Sequence, residues 1–416
     1  MDASPLLSAP SRAWSPYEPS PKVPWDLPRV AHLHRRAGFS APWATLERDR
    51  AEGPSAAIAR LLEGEATSLD GLSAADHDAL MATMAATVGP SGNLVRLQGA
   101  WLYRMIFSPY PLRERMTLFW HNHFATSNAK VNNTTLMQRQ ANLLRAHALG
   151  KFGTMLRDMA RDAAMLQWLD CTANRKAHPN ENYAREVMEL FTLGRGNYTE
   201  KDVQEAARAF TGTFVQNDRY KAVPSQHDDG EKTVLGKTGK FSGDDVSTIL
   251  LEQPACAMFL AKKLFRHFLS EVDTPSAELL APLAETLRQT AYDSKAAIAM
   301  ILRSSLFHDP AIRRKRVKSP VEFTVGTVRA LEILKPTVSA DALAEATSRM
   351  GQGLFTPPSV AGWDGGPAWI NTTTTLARSN FALALLGKDG GFGGRFDPKA
   401  LARKAGMDPA SFYVEL

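Results

Sequence analysis

The chain has 416 residues, 44% hydrophobic and 22% charged, which excludes a disordered or low-complexity protein and leaves length for one large core or two packed lobes. Its formal net charge of +6 and pI near 9.2 are modest at this length, so no nucleic-acid partner is expected, while small anionic ligands are compatible. Cys171 and Cys256 stand too far apart in sequence to suggest a disulfide framework or a cysteine zinc site.

No apolar run approaches the roughly 20 residues that span a bilayer, so no transmembrane segment is expected. No basic stretch followed by an apolar run opens the chain, so a cytoplasmic location is expected, with export alongside a partner left open.

Residues 1–28 carry seven prolines interleaved with Trp14, Tyr17 and Trp25. This composition predicts a non-helical, extended arm, either mobile or pinned across the body by its aromatics. Helical patterns follow over Val30 to Gly38, Trp43 to Leu62 with a break near Gly53-Pro54, Ala74 to Val88, and Leu94 to Phe107. His32 and His34 diverge by about 200° on their helix and cannot chelate one ion together. Leu112 to Phe124 is the next helix, with Leu112, Met116, Phe119 and His123 on a stripe that buries His123. Gln138 to Ala148 and Phe152 to Leu169 supply two more.

Pro179 to Gly194 is the stretch around which the chain is organised. Asn180 can cap this helix of about four turns and Gly194 can stop it. Tyr183, Val187, Leu190 and Phe191 form its apolar stripe, and Glu181, Arg185 and Glu189 an i, i+4 ladder. Thr199 opens another helix with a capping box, Asp202 taking the acidic place. Residues 213–242 break the helical pattern, and Thr213-Phe214-Val215 and Thr233-Val234-Leu235 are expected to pair as a small ribbon. Helices resume from Pro254 to Leu269, Glu278 to Thr290, Ser294 to Leu306 and Ser319 to Leu334. Gly351 to Asn371 is a loop rich in Gly, Pro and Trp, and Asn371 caps the last apolar helix, which ends at Gly387.

The expected fold class is all-α, a multi-helix globular bundle with one short β-ribbon or irregular insertion around 213–242. The expected organisation is an arm over 1–28, a helical body over 29–387, either single or divided near 213–242, and an accessory tail over 388–416.

The leading chemical constellation is His121, His123, Glu186, His227 and Asp228. Imidazoles and carboxylates are the ligands that Zn, Mn or Fe would accept, so His121, His123 and His227 are candidate metal ligands with Glu186 or Asp228 as base. A metal-free alternative uses Glu186 with Glu189 or Asp228 as general acid and base on a glycan. Arg185, Lys232, Asn182 and Trp120 are candidate substrate contacts. The bland alternative makes Glu186 a helix-to-loop clamp in a buried polar network. Arg313-Arg314-Lys315-Arg316 with Lys318 is read as a solvated face. Gly236-Lys237-Thr238 is no phosphate loop, because Glu231 stands where a glycine is required.

Six segments, in order, resemble one bacterial family, DUF1800, a domain of unknown function. They are His34 to Phe39, Arg115 to Ser127, Pro179 to Gly194, His227 to Lys232, Lys318 to Glu322 and Pro357 to Trp363. The resemblance implies a predominantly helical protein often encoded beside a relative of the sulfatase and alkaline phosphatase superfamily, which makes such a protein a candidate partner. It carries no reaction with it. The function expected is therefore either a metal-assisted hydrolase of a polar or polymeric substrate, the metal-free glycan hydrolase, or a helical scaffold for that partner.

Overall fold

Asn182–Glu186 is α-helical and Val187–Thr192 continues it as a π-helix, in a computed structural model that describes residues 4–335, 338–386, 392 and 397–415. Asn180 Oδ1 accepts the Asn182 N–H at 2.9 Å, and Gly194 ends the element at φ +78°. The expected α-helix is thus part π. Its wide last turn closes through Leu193 N–H to Met188 O at 2.8 Å, five residues back. Tyr183, Ala184, Val187, Met188 and Phe191 are buried, packed under the helices Glu200–Ala209, Gly243–Glu252 and Pro254–Phe268.

The fold is all-α, with capping boxes at Thr199, Ser242 and Ser319 as their sequences require. A second apolar cluster is built on Leu94–Phe107, Pro320–Ala330 and Ala340–Arg349, the last a helix without a sequence expectation. The two clusters share elements. Pro111–His123 sends Leu112, Met116 and Trp120 into one and Leu118 into the other, so the cores do not divide at residues 213–242.

The single ribbon expected in that insertion is instead two hairpins. Strand β1 (Thr213–Gln216) pairs antiparallel with β2 (Arg219–Ala222), and β3 (Lys232–Val234) with β4 (Lys237–Gly239). Two-residue turns decide it. Asn217 and Asp218 have φ of 51° and 56°, and Leu235 and Gly236 have φ of 49° and 80°, the geometry that closes a tight hairpin locally before a distant strand can pair.

The proline-rich arm is not wholly non-helical. Pro5–Ser8 and Pro10–Ala13 are short helical turns that begin on proline, where its missing N–H costs nothing. The arm is pinned by its aromatics. Trp14 Nε1 donates to Leu279 O at 2.7 Å, Tyr17 stacks on His308 at 4.2 Å, and Trp25 Nε1 donates to Asp49 O at 3.0 Å. In the tail, Leu401, Ala402 and Phe412 cover Trp43. Asn371 caps Thr372–Leu386 through the Thr374 N–H. Gly387, its expected stop, lies outside the described residues. Among the described residues no helix is long and apolar enough to cross a membrane.

Trp120 ties these layers together. It is 2% exposed, stacks on Phe152 and donates its indole N–H to Ala148 O at 3.0 Å. Trp120→Ala is expected to lower unfolding free energy by about 3–5 kcal/mol in denaturant titrations; a loss below about 1 kcal/mol would contradict this packing.

Candidate functional site

The five groups of the sequence constellation are not brought to one point. His121, fully buried among Trp101, Phe355 and Trp363, accepts the Phe355 N–H on Nε2 at 3.1 Å. Two residues on, His123 faces the other core, beside Phe152 and Phe191, and its Nε2–H donates to Phe191 O at 3.1 Å. His227 donates from Nδ1 to Thr211 O at 3.0 Å and lines a separate cleft of about 290 Å³ against the β1–β2 hairpin. Asp228 is gripped by Arg208 at 2.8 and 3.3 Å, which holds its carboxyl at about 2. Among the described residues no three His, Cys, Asp or Glu side chains are grouped so as to hold a metal ion.

The other candidates are also engaged. Glu189 binds Arg195 at 2.5 Å and the Tyr198 hydroxyl at 2.9 Å, so it does not extend the Glu181–Arg185 ladder. Arg185 is spent on Glu200 and Glu181. Lys232 is buried and caps Asp228 O and Gly230 O, and Trp120 is core, so neither is placed to touch a substrate. Glu186, its carboxyl raised by partial burial and then by Glu189, lines neither cleft; Asn182 does not line one either.

A different site forms where Pro111–His123, Pro254–Phe268, Pro320–Ala330 and the Trp-rich loop meet, a cleft of about 280 Å³. Asn122 clamps the loop, accepting the Trp363 N–H at 2.7 Å and donating to Trp363 O at 3.2 Å. Trp363 and Trp369 wall one side, Phe119 and His123 another, and Lys263, Arg266, His267, Glu271, Arg316, Glu322 and Asp364 supply charge and hydrogen bonds.

Lys263 is the centre of this cleft. The last carbonyls of the central helix lack intrahelical partners, and side chains from two other helices fill them. Lys263 Nζ donates to Leu190 O at 3.3 Å and to His123 Nδ1 at 3.0 Å. The tautomer follows from the bonding: His123 gives its only N–H to Phe191 O, so Nδ1 must accept. Burial, then Arg266, brings the Lys263 ammonium down to about 7, and burial, then Lys263, holds His123 well below its ordinary value.

Behind it lies an ion-pair network. Glu322 pairs with Arg115 and with Arg316 Nη1 at 3.3 Å, and takes the Ser319 N–H at 2.8 Å. Burial opposes its charge, but Arg115 and Arg316 outweigh it and hold the carboxyl at about 2. Arg316 also reaches Glu271 at 2.9 Å, and Arg115 donates to His267 at 3.1 Å. The basic run is a solvated face only in part: Arg314 and Lys318 are exposed, whereas Lys315 is 8% exposed, 3.7 Å from Asp273, and Arg316 is turned inward.

The sequence reading missed Lys263, Arg115, Arg266, His267, Glu271 and Arg316. A signal existed on the Pro254–Phe268 helix, where Phe259, Lys263 and His267 recur every four residues and so share a face. That face was hidden by the stronger apolar stripe Leu260, Leu264, Phe265 and Phe268.

The model of a family described as a protein of unknown function, DUF1800, matches residues 32–411. The chain belongs to this family. No curated protein and no solved structure matches it. Of the segments by which this DUF1800 chain resembles its family, Arg115 to Ser127, Lys318 to Glu322 and Pro357 to Trp363 build the cleft, and Pro179 to Gly194 gives its two carbonyls to Lys263 and His123. His227 to Lys232 stands apart.

Two outcomes follow for this DUF1800 protein. Gly362 lies at φ +81°, and a Cβ there would come within 2.3 Å of Asn122 Oδ1. Gly362→Ala is expected to break the Asn122 clamp and cost about 1–3 kcal/mol, read as a lowered unfolding midpoint with altered Trp fluorescence; unchanged values would refute the clamp.

The second outcome concerns acid. Burial drives His32, His121, His123, His267 and His308 downward, His121 to about 3 and His308 to about 4. Below about pH 6.5 the unfolded chain takes up protons that these folded imidazoles refuse, so stability falls with pH by about 1.4 kcal/mol per pH unit for each fully neutral site. Asp162, raised to about 6 by burial, and Glu186, raised by burial and then Glu189, run the opposite way. The unfolding midpoint should drop steeply from pH 7 to 5 at fixed ionic strength, and a flat profile would contradict the buried neutral state.

Proposed function

We propose that the chain is an enzyme whose reaction centre is this cleft, with Lys263 acting as a general base or amine nucleophile on an anionic organic substrate. One observation carries the reading. The two acceptors around Lys263, His123 Nδ1 and Leu190 O, match the two N–H bonds of a neutral amine, which leaves the lone pair as the group still to be used. With its ammonium brought to about 7, a large share of Lys263 is neutral at physiological pH. Arg266 supplies positive charge for an anionic group, Arg316 being held by Glu271 and Glu322, and Trp363 and Trp369 supply an apolar wall.

This reading replaces the metal-assisted hydrolase with His121, His123 and His227 as ligands to Zn, Mn or Fe, because those imidazoles face different surroundings and each has a backbone partner. It also replaces the glycan hydrolase on Glu186 with Glu189 or Asp228, since Glu189 and Asp228 are held in ion pairs. The buried free thiols of Cys171 and Cys256 fit the reducing interior of a cell and support a cytoplasmic site of action.

A second reading, accessory partner of a neighbouring sulfatase- or phosphatase-like protein, has one observation in its favour. The last long helix leaves Leu376 and Leu383, 61% and 65% exposed, seven residues apart on one face.

Reductive methylation with formaldehyde, followed by peptide mass spectrometry, tests the amine directly. Lys263 should be methylated faster than Lys262, its exposed neighbour on the same helix, and its rate should rise with pH through a midpoint near 7. If Lys263 is no faster than Lys262 at pH 7, the catalytic reading falls and the partner reading stands.

A further inference from the structure

Next to the cleft, sharing Arg316 and Glu322 with it, is a second cavity of about 130 Å³. Its charged lining is one-sided. Arg35, Arg36, Arg115, Arg314, Arg316 and Lys318 face it, against the single carboxylate Glu322.

Arg35 and Arg314 make interactions of their own; for Arg36, Arg115, Arg316 and Lys318 the nearby carboxylates among the described residues are Glu322 and Glu271. Glu322 is shared by Arg115 and Arg316, Glu271 serves Arg316 alone, and Arg36 spends Nη2 on a neutral acceptor, Leu269 O, at 2.5 Å. Two donors on these buried guanidiniums, Arg115 Nη1 and Arg316 Nε, have no hydrogen-bond partner among the described residues. Arg115 is 1% exposed, and the Arg316 side chain is 8% exposed. Burial and then Arg316 push Arg36 well below its ordinary value. Cations crowded out of water in this way, with donors left over, are unfavourable unless an anion completes the set.

We propose that this cavity binds a small oxyanion of the phosphate or sulfate class, with Arg115 and Arg316 as buried donors and Lys318 as the exposed cation at its edge. Guanidinium groups present planar pairs of N–H bonds that match two oxygens of such an anion. Size agrees as well, since a cavity of about 150 Å³ admits a six-carbon ring and an oxyanion has five heavy atoms. His32, which also lines the space, is kept neutral by burial and packs at a tilt against Phe307, so it adds no competing charge. The proposal does not rest on the role given to Lys263, which lines the cleft and not this cavity.

Thermal unfolding of the full chain, titrated at constant ionic strength with inorganic phosphate, methyl phosphate, sulfate or chloride, is the test. Phosphate or sulfate should raise the midpoint saturably where chloride does not. Equal action of methyl phosphate supports a site that takes the phosphate end of a larger molecule, and action of the inorganic ions alone supports a site for the free anion. Lys318→Glu should raise the half-saturating phosphate concentration about tenfold or more while leaving the anion-free midpoint near that of the parent. Arg115→Met should abolish the shift, and because that variant removes a buried ion-pair partner, Lys318→Glu keeps the test decisive. Phosphate and sulfate curves that follow chloride, or a Lys318→Glu curve that follows the parent, would overturn the proposal.

Discussion

The constraint on which the rest depends is the unfinished end of the central helix. A helix that stops inside a protein leaves carbonyls without donors, and leaving them bare costs more than any single packing contact returns. Here Leu190 and Phe191 are served by Lys263 and His123, which come from two helices that must cross beside the π-turn to reach them. Supplying those carbonyls brings an amine and an imidazole into contact at the wall of the cleft, where burial, then Arg266, lowers the ammonium. Structural need and chemical potential meet in the same pair of side chains.

Much of this fold could be read in advance because the deciding information is local. Capping boxes at Thr199 and Ser319, the stop at Gly194, and the helices Ala74–Val88 and Leu94–Phe107 follow from spacing and caps within a few residues. The hairpins of the insertion were missed for a related reason, since positive φ at Asn217, Asp218 and Leu235 is a turn property that apolar spacing does not display. The Ala340–Arg349 helix, rich in alanine and with Leu343 as its one large apolar residue, had no sequence expectation, yet it packs closely on Leu94–Phe107.

The candidate site was less legible, because it is assembled from remote segments and depends on which partner each polar group finds. His123 was placed in a buried stripe correctly, but nothing in the sequence shows that Lys263, 140 positions later, meets it. Arg313 to Lys318 looks like a surface tract by composition. Only the fold reveals that Glu271 and Glu322 draw Arg316 inward, so that one ion pair forms the partition between two polar cavities.

The anchoring of the amino-terminal arm has a consequence for how the chain matures. Trp14 is held by Leu279, Tyr17 by His308, and residue 16 bridges to Ser304, all contributed by segments more than 250 positions downstream. During synthesis those seats do not exist until His308 has left the ribosome, so the arm emerges well before them and waits undocked. The arm is thus made long before it can be seated, and it serves as a latch that closes on helices already in place.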